Sequence, residues 1–332
     1  MDLKNILVTG AAGYIGTCAT NTLLEEGYFV VAIDNFSAGY RQPLEILKKA
    51  YPNSLVVIEK DILSDLDSIF LSYSIDAILH FASPCNVDES VKNPKKYFDN
   101  IEYGTRNLIT YAINHKVQYF IFSSTCAVYG EPVRLPISED HPTNPINPYG
   151  KAKLAAENIV KNSTIKYMIF RYFNVCGTSK DAKFGDSKRP SSALVQNAVR
   201  GVMGIEAFSI TCQRANTKDG TPVRDFIDVM DLVWAHILGL KFLSNGGNSE
   251  IINLGTGRGY SVLEIIERVE SITGTSIDKK ISNVLRHGEI EKIYASYRKA
   301  NNVLHWRPKL NISISIRNLI KWYTDNPSGW GY

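Results

Sequence analysis

Tyr149 and Lys153 stand four residues apart in the stretch Tyr149-Gly150-Lys151-Ala152-Lys153. On a helix that spacing puts both side chains on one face, about a turn from each other. A phenol and an ammonium so placed can act as a pair, because an opposite charge nearby favours the ionised phenol. At ~6 Å and an effective dielectric of ~20 the attraction is ~2.8 kcal/mol, equivalent to ~2 pKa units. A tyrosine then moves from ~10 to ~8, still short of an efficient base at neutral pH. A second positive charge would complete the shift. Taken alone, Tyr-x-x-x-Lys is a common pattern, and a surface helix with solvated lysines accounts for it better. The rest of the chain changes that balance.

Asn5 to Thr9 reads as a short buried strand, followed by Gly10-Ala11-Ala12-Gly13-Tyr14-Ile15-Gly16 and a helical pattern running to Glu26, stopped by Gly27. Glycines so placed permit a tight turn, close approach of backbone to a pyrophosphate, and close helix-on-strand packing. The helix start offers free N–H groups and a positive dipole end to the phosphates. The spacing is Gly-x-x-Gly-x-x-Gly rather than Gly-x-Gly-x-x-Gly, but strand before and helix after make it a dinucleotide site. An oxidised nicotinamide ring carries the second positive charge that Tyr149 requires. The next strand, Tyr28 to Ile33, ends at Asp34-Asn35-Phe36-Ser37. Asp34 can bond the adenosine ribose hydroxyls and would repel a 2′-phosphate, which favours NAD over NADP.

Leu55 to Ile58 is a third strand with Asp61-Ile62 beyond it. Asp61 is placed to accept from the adenine amino group while Ile62 packs on the ring; a helix N-cap accounts equally well for Asp61. Ala77 to Ala82 is a fourth strand whose small end residues suit a backbone passing close to a cofactor, and His80 within it reads as a structural, hydrogen-bonded histidine. Val91 to His115 is largely helical with breaks, and Tyr119 to Phe122 is a fifth strand running into Ser123-Ser124-Thr125. This alternation predicts an α/β fold with a Rossmann-like, doubly wound parallel sheet that binds ligands at the carboxyl ends of its strands.

The Pro- and Asn-rich loop 131–148 delays the helix carrying Tyr149, and a sixth strand, Tyr167 to Tyr172, leads to Asn174. Alternation breaks after Gly177, and a smaller C-terminal α/β substrate lobe is expected from Ser179. There Ser192 to Met203 is a helix, and Val223 to Val229 is a strand expected to return to the main sheet, followed by the helix Met230 to Phe242. Ile251 to Leu254, Gly255-Thr256-Gly257 and a helix from Ser261 come next. The expected division is 1–178 with 223–256 as the dinucleotide domain, and 179–222 with 257–332 as the substrate lobe.

The 332 residues are 44% hydrophobic and 21% charged, with a formal net charge of +4 and no dense basic block, so a nucleic-acid footprint is not indicated. Cys18, Cys85, Cys126, Cys176 and Cys212 are odd in number and widely spread, against both a disulfide framework and a metal site. No apolar run reaches the length of a membrane span. A reduced cytoplasmic compartment is expected.

With these pieces together, the chain resembles the extended short-chain dehydrogenase/reductase superfamily, and within it the UDP-glucose 4-epimerase family. The resemblance runs over nearly the full length. It includes Thr9-Gly10-x-x-Gly13-x-x-Gly16, Asp34-Asn35, Asp61-Ile62, His80-Phe81-Ala82, Ser123-Ser124-Thr125 and Tyr149-Gly150-Lys151-x-Lys153. Arg171-Tyr172-Phe173-Asn174, Asp219-Gly220-Thr221, Val223-Arg224-Asp225 and Asn253-Leu254-Gly255-Thr256-Gly257 are more discriminating and point to nucleotide-sugar 4-epimerases.

The resemblance implies tightly held NAD and inversion at C4 of a UDP-sugar through a 4-keto intermediate. Tyr149 would remove the proton of the 4-hydroxyl while the C4 hydride passes to the cofactor. Lys153 would bond the nicotinamide ribose, and Thr125 would bond the same sugar oxygen. Tyr14, Ile15, Asn35, Ser37, Phe81, Ala82, Asn100, Ser123 and Tyr172 complete the cofactor-facing set. Asn174, Ser192, Arg224, Arg286 and Glu289 are implied on the substrate side, where guanidinium groups suit oxyanions. A surface ion pair with Asp225 is the competing account of Arg224. The resemblance also implies a homodimer through the helices Val91 to His115 and Tyr149 to Lys161.

Departures from the family pattern bear on the sugar. Cys85 stands where some relatives carry lysine, Ser192 where Asn or His is typical, Cys212 for a glycine, and Asp228 for a histidine. Ile293 falls at the position limiting sugar size, and its intermediate bulk leaves UDP-N-acetylhexosamines open beside UDP-galactose and UDP-glucose; a UDP-pentose epimerase shares the same motifs. A dehydratase is disfavoured because Thr125-Cys126-Ala127 lacks its carboxylate. A non-catalytic nucleotide-sugar binder is disfavoured because it has no need of the Tyr149/Lys153/Thr125 set.

Overall fold

Runs rich in β-branched and aliphatic residues form the strands, as a pleated, buried surface favours. β1 (Asn5–Thr9), β2 (Phe29–Asp34), β3 (Leu55–Glu59), β4 (Ala77–His80), β5 (Tyr119–Thr125) and β6 (Lys166–Tyr172) are interleaved with seven helices. These are α1 (Tyr14–Glu25), α2 (Arg41–Ala50), α3 (Asp67–Ser72), α4 (Val87–Lys92), α5 (Pro94–Tyr97), α6 (Gly104–Asn114) and α7 (Pro148–Lys161). Then come β7 (Asn174–Cys176), α8 (Leu194–Val202), β8 (Ser209–Ile210), β9 (Val223–Asp228), α9 (Val229–Ser244) and β10 (Glu250–Leu254). β11 (Gly259–Ser261), α10 (Val262–Thr273), β12 (Lys280–Ile281), β13 (Lys292–Ile293), α11 (Arg298–Leu304) and α12 (Ile312–Asp325) complete the order. The structure is a computed structural model and describes residues 3–210, 212, 215–277, 280–281 and 290–331.

The main sheet has seven strands in the order β10-β6-β5-β4-β1-β2-β3. β1 pairs in parallel with both β2 and β4, and β2 with β3 and β4 with β5 likewise. The chain therefore winds outward from β1 to β3, then returns to β4 on the other side of β1. Between β1 and β4 lies the switch point, the place where such sheets bind ligands. This is the doubly wound parallel sheet that the strand–helix alternation predicts.

The chain forms two compact units. The first comprises Met1–Val128, Pro145–Arg171 and Val233–Ile252. Its core joins sheet residues such as Leu7, Val31, Ile78, Phe120 and Phe122 to Tyr97, Ile101 and Leu108, and to Ala152, Ala156 and Val160 of α7. Each large side chain so buried contributes on the order of 2 kcal/mol. Two local devices set α7. Asn147 caps it, its Oδ1 accepting from Gly150 N at 2.8 Å, with Pro148 in the first turn. Gly150 is required by packing, since a Cβ there would lie 2.6 Å from the Ala127 carbonyl oxygen.

The second unit comprises Tyr129–Asn144, Tyr172–Leu232 and Asn253–Tyr332. Its core packs α8, α10 and α12 through Val195, Val199, Ile265, Ile316, Leu319 and Trp322. Here one sequence expectation is corrected. β9 does not return to the main sheet; it pairs in parallel with β7 and β13 and antiparallel with β11, and β10 supplies the seventh strand. The reason lies in the acids of Val223-Arg224-Asp225-Phe226-Ile227-Asp228. Asp225 and Asp228 are both buried, and buried carboxylates need donors. Asp225 finds them in Thr256 N and Oγ1, Gly257 N and Ala295 N, and Asp228 in Met230 N and Ser315 Oγ. Those donors lie in the turn after β10, just after β13, and on α9 and α12, so the acids are satisfied only where β9 meets these elements. Among the described residues no helix is long and apolar enough to cross a membrane.

Candidate active site

The glycine turn shows which of its members packing demands and which it leaves open. Gly10 has φ +68° and a Cβ there would sit 2.6 Å from Ala82 N; a Cβ on Gly16 would run into the Gly10 carbonyl. These two hold β1, the segment after β4, and α1 together. Gly13 meets only the Gly10 oxygen at 3.3 Å. It is also the N-cap of α1, with no side-chain hydrogen bond to the first turn. The first turn of α1, with half-buried Tyr14 and Ile15, puts a helix N-terminus at the end of β1, the kind of place where an anion is favoured.

The acids predicted to follow β2 and β3 form one linked cluster. Asp34 accepts from Ala12 N at 3.0 Å and Phe36 N at 2.8 Å, and burial pushes its carboxyl above the usual range despite those donors. The Asn35 amide donates to Asp61 at 2.8 Å, while Asn35 Oδ1 accepts from Ser37 N and Oγ at 3.0 and 2.7 Å. Ile62 is buried, pressed against the start of α6 so closely that a Cβ on Gly104 would be 2.6 Å from its Cδ1. Asn100 lies on a π-helical segment, Phe98–Tyr103, and its Oδ1 is buried without a partner. Such bulges recur at functional sites. An open turn, a ribose-height acid and an unsatisfied buried acceptor fit NAD.

α7 carries both Tyr149 and Lys153, and its Lys153 reaches the end of β5. Lys153 is only 3% exposed; its Nζ donates to the Ser123 carbonyl at 2.8 Å and stands 5.0 Å from the Phe122 ring centre. Burial lowers its pKa to about 8, against the opposing pull of Cys85 and Glu157. The Tyr149 ring meets the edge of buried Tyr97 at 6.2 Å and 87°. Thr125 Oγ1 accepts from Ala127 N at 3.2 Å. The Ser123 hydroxyl lies 3.2 Å from His236 Nε2, so within the protein it is the carbonyl of Ser123 that serves Lys153.

His80 is the structural residue the sequence suggests. Thr105 Oγ1 donates to the Ile101 carbonyl at 2.5 Å, so at 3.1 Å it accepts from His80 Nε2–H. Nδ1, 2.6 Å from Thr9 Oγ1, then accepts. Burial, aided by the Lys153 charge, drives the imidazole pKa down to about 3. It is a neutral brace.

Sequence reasoning missed what lies behind Lys153. Glu157, wholly buried, takes a bidentate pair of bonds from Arg171, Nε to Oε1 at 2.9 Å and Nη2 to Oε2 at 2.6 Å, and a third from Ser124 Oγ at 2.5 Å. The available signal was the four-residue step from Tyr149 to Lys153, continued once more.

In the second unit, Asn174, Ser192, Asn197, Cys212, Arg224 and Phe226 line a cavity of about 90 Å³. Arg224 Nη1 donates to its neighbour's carbonyl, Val223 O, at 3.0 Å. Asp225 is committed to Thr256, Gly257 and Ala295, which weakens the account of Arg224 as a simple ion pair with it. Ile293, also buried, is the register partner of Arg224 across β13 and β9. Asp228 has its carboxyl pushed up to about 6 by burial. Tyr172 is half-buried at the end of β6. Arg286 and Glu289 lie outside the described residues. Among the described residues no cluster of His, Cys, Asp and Glu could hold a metal ion.

Comparison with known proteins agrees with this chemistry. UDP-glucose 4-epimerase of Lactobacillus helveticus is 40% identical over 331 residues, 98% of each chain. UDP-arabinose 4-epimerase 1 of Arabidopsis thaliana is 38% identical, over 99% of this chain and 81% of that one. The crystal structure of UDP-glucose 4-epimerase from Bifidobacterium longum, in complex with NAD+ and UDP, superposes with a TM-score of 0.92 at 33% identity, over 98% of this chain and all of that one. Residues 6–255 match the sequence profile of the NAD dependent epimerase/dehydratase family, and to that family the chain belongs.

Proposed function

We propose that this protein inverts C4 of a UDP-hexose, interconverting UDP-galactose and UDP-glucose through a transient 4-keto sugar. The observation that carries this reading is Lys153, buried on the Tyr149 face of α7, bonded to Ser123 at the end of β5 and close enough to β4 to depress the His80 imidazole. NAD, when bound, supplies a hydride acceptor and donor. Gly10, Gly13, Tyr14, Ile15 and Gly16 would cradle its diphosphate. Asp34, Asn35, Ser37, Asp61 and Ile62 would take the adenosine, and Phe81, Ala82, Asn100, Ser123 and Tyr172 the remainder.

The protein's own part is proton transfer and orientation. Tyr149, as phenolate, takes the proton of the sugar 4-hydroxyl and returns it after inversion. Lys153 stabilises that phenolate, and Thr125 bonds the same oxygen. Asn174, Ser192 and Arg224, which line a cavity with room for only part of a uridine diphosphate, would bind that ligand, and Arg286 and Glu289 are assigned to it by motif. Firm binding there leaves the sugar free to present either face. The first unit is thus the NAD-binding domain and the second the nucleotide-sugar lobe. A homodimer through the face of α4 to α7 is supported by the exposed apolar side chains of Val91, Tyr103 and Ile113. Its five free cysteines suit a reducing, cytoplasmic compartment, and the reaction would serve galactose metabolism.

A second reading is a UDP-pentose 4-epimerase, favoured by relatives of that kind at nearly the same identity as the hexose enzymes. Purified protein incubated with UDP-galactose, UDP-N-acetylgalactosamine or UDP-arabinose without added NAD is expected to convert UDP-galactose to UDP-glucose fastest. Faster turnover of UDP-arabinose would install the pentose reading, and no turnover of any sugar would leave a non-catalytic binder.

A further inference from the structure

We propose that Glu157, held by Arg171 and Ser124, is a positioning residue that aligns Lys153 on α7 with Thr125 at the end of β5. The inference rests on the roles given to Tyr149, Lys153 and Thr125 above.

Tyr149, Lys153 and Glu157 follow one another at four-residue steps on α7, so they share a face. Ser123, Ser124 and Thr125 are consecutive at the end of β5. Two ties join these runs. Lys153 Nζ reaches the Ser123 carbonyl at 2.8 Å, and one turn further along, Glu157 Oε1 takes the Ser124 hydroxyl at 2.5 Å. One tie would leave the helix free to rock about it, whereas two, a turn apart, fix its rotation and its slide along the strand. Strand alternation sends Ser124 to the α7 side while Ser123 Oγ faces His236, and the tie at Ser124 sits next to Thr125. Arg171 anchors the far side of Glu157 to β6, 14 residues away in sequence.

Stability alone does not account for this ion pair. Replacing a buried pair by apolar residues of similar volume is commonly neutral or stabilising, because desolvation offsets the attraction. The pair instead brings rigidity and a set potential. Lys153 is faced by Glu157 on its own helix, by Cys85 beyond β4, and by His80, which is neutral. Glu157 is faced by Arg171 and Tyr167 on β6 and by Ser124 on β5. Even with Arg171 in place, the Glu157 carboxylate pulls the Lys153 pKa up against the effect of burial. Neutralising Glu157 alone would leave the guanidinium as an uncompensated cation near Lys153.

Three variants test this: Ser124→Ala, Glu157→Gln, and the double variant Glu157→Gln/Arg171→Met. Ser124→Ala is expected to lower kcat about 10-fold at unchanged KM for UDP-galactose and with no displacement of the pH profile, as misplacement predicts. Glu157→Gln is expected to move the kcat–pH profile about one unit toward lower pH, and the double variant to bring it part of the way back. The Lys153 ammonium, titrated by NMR in isotopically lysine-labelled protein without substrate, is expected to follow the same displacement. An unmoved Lys153 titration in Glu157→Gln, or full kcat in Ser124→Ala, overturns the proposal. If Glu157→Gln does not fold, Ser124→Ala decides: full kcat there overturns the proposal. An inactive wild type removes the proposed function alone, since the titration is read without turnover.

Discussion

Buried ionisable side chains brace both α7 and β9, by opposite means. On α7 an ammonium meets a backbone carbonyl, and a carboxylate meets a guanidinium and a hydroxyl. On β9 the acids Asp225 and Asp228 are bonded to backbone N–H groups and to the hydroxyls of Thr256 and Ser315. The buried carboxylates of both elements also act on their neighbours: beyond burial itself, Asp228 and Asp225 push the Cys176 thiol up, and against burial Glu157 pulls Lys153 up. Only on α7 does that influence fall on a side chain proposed for the reaction.

Substitutions on the two elements should therefore separate into losses of rate and losses of fold. The largest effect belongs to Tyr149→Phe. It is expected to cost at least about 10³-fold in kcat through loss of the proton-transfer group, with a thermal midpoint close to wild type. Wild-type turnover in that variant would remove the base. Asp225→Ala, by contrast, leaves the N–H groups of residues 256, 257 and 295 and the Thr256 hydroxyl without their acceptor. Urea unfolding is expected to show a loss of about 4 kcal/mol.

Lys153→Met should reverse the usual sign of a core substitution. Burial lowers the folded pKa of Lys153 from 10.5 to about 8, so between those values the unfolded chain binds more protons and wild-type stability rises with pH. At pH 7 the inactive methionine variant is expected to be more stable by about 3 kcal/mol, and that advantage should close as the pH approaches 10.5. A constant difference across that window would contradict it.

The smallest effect is expected from Asp228→Asn. Its carboxyl is raised from 3.8 to about 6, so the folded state holds the proton longer, and wild-type stability falls as pH rises through that range. An asparagine can still accept from Met230 N and can donate to Ser315. The variant should gain about 3 kcal/mol at pH 7 with kcat within twofold. Loss of activity there would make β9 more like α7 than its bonding suggests.

Much of this was legible in the chain, for local reasons. The strand–glycine turn–helix, the position of Asp34 and the Tyr149/Lys153 spacing each depend on residues within a few turns of one another. The placement of β9 was not legible, because the pattern of Val223–Asp228 states that it is a strand and says nothing of its neighbours. Asn100 was reached only by resemblance. The π-helical segment that presents it follows from how α5 and α6 pack, and no periodicity announces it.

By itself the sequence determined the strands β1 to β6, the doubly wound class and the helical face that carries both a phenol and an ammonium, since backbone periodicity and turn chemistry are written in adjacent residues. Only the tertiary structure decided that Ser123 offers Lys153 a carbonyl, that β10 rather than β9 completes the sheet, and that Glu157 meets Arg171 and Ser124. Those contacts span 14 to 33 residues around Glu157. They form because burial leaves a charged or polar group no water, and the fold must bring it a partner from wherever in the chain one lies.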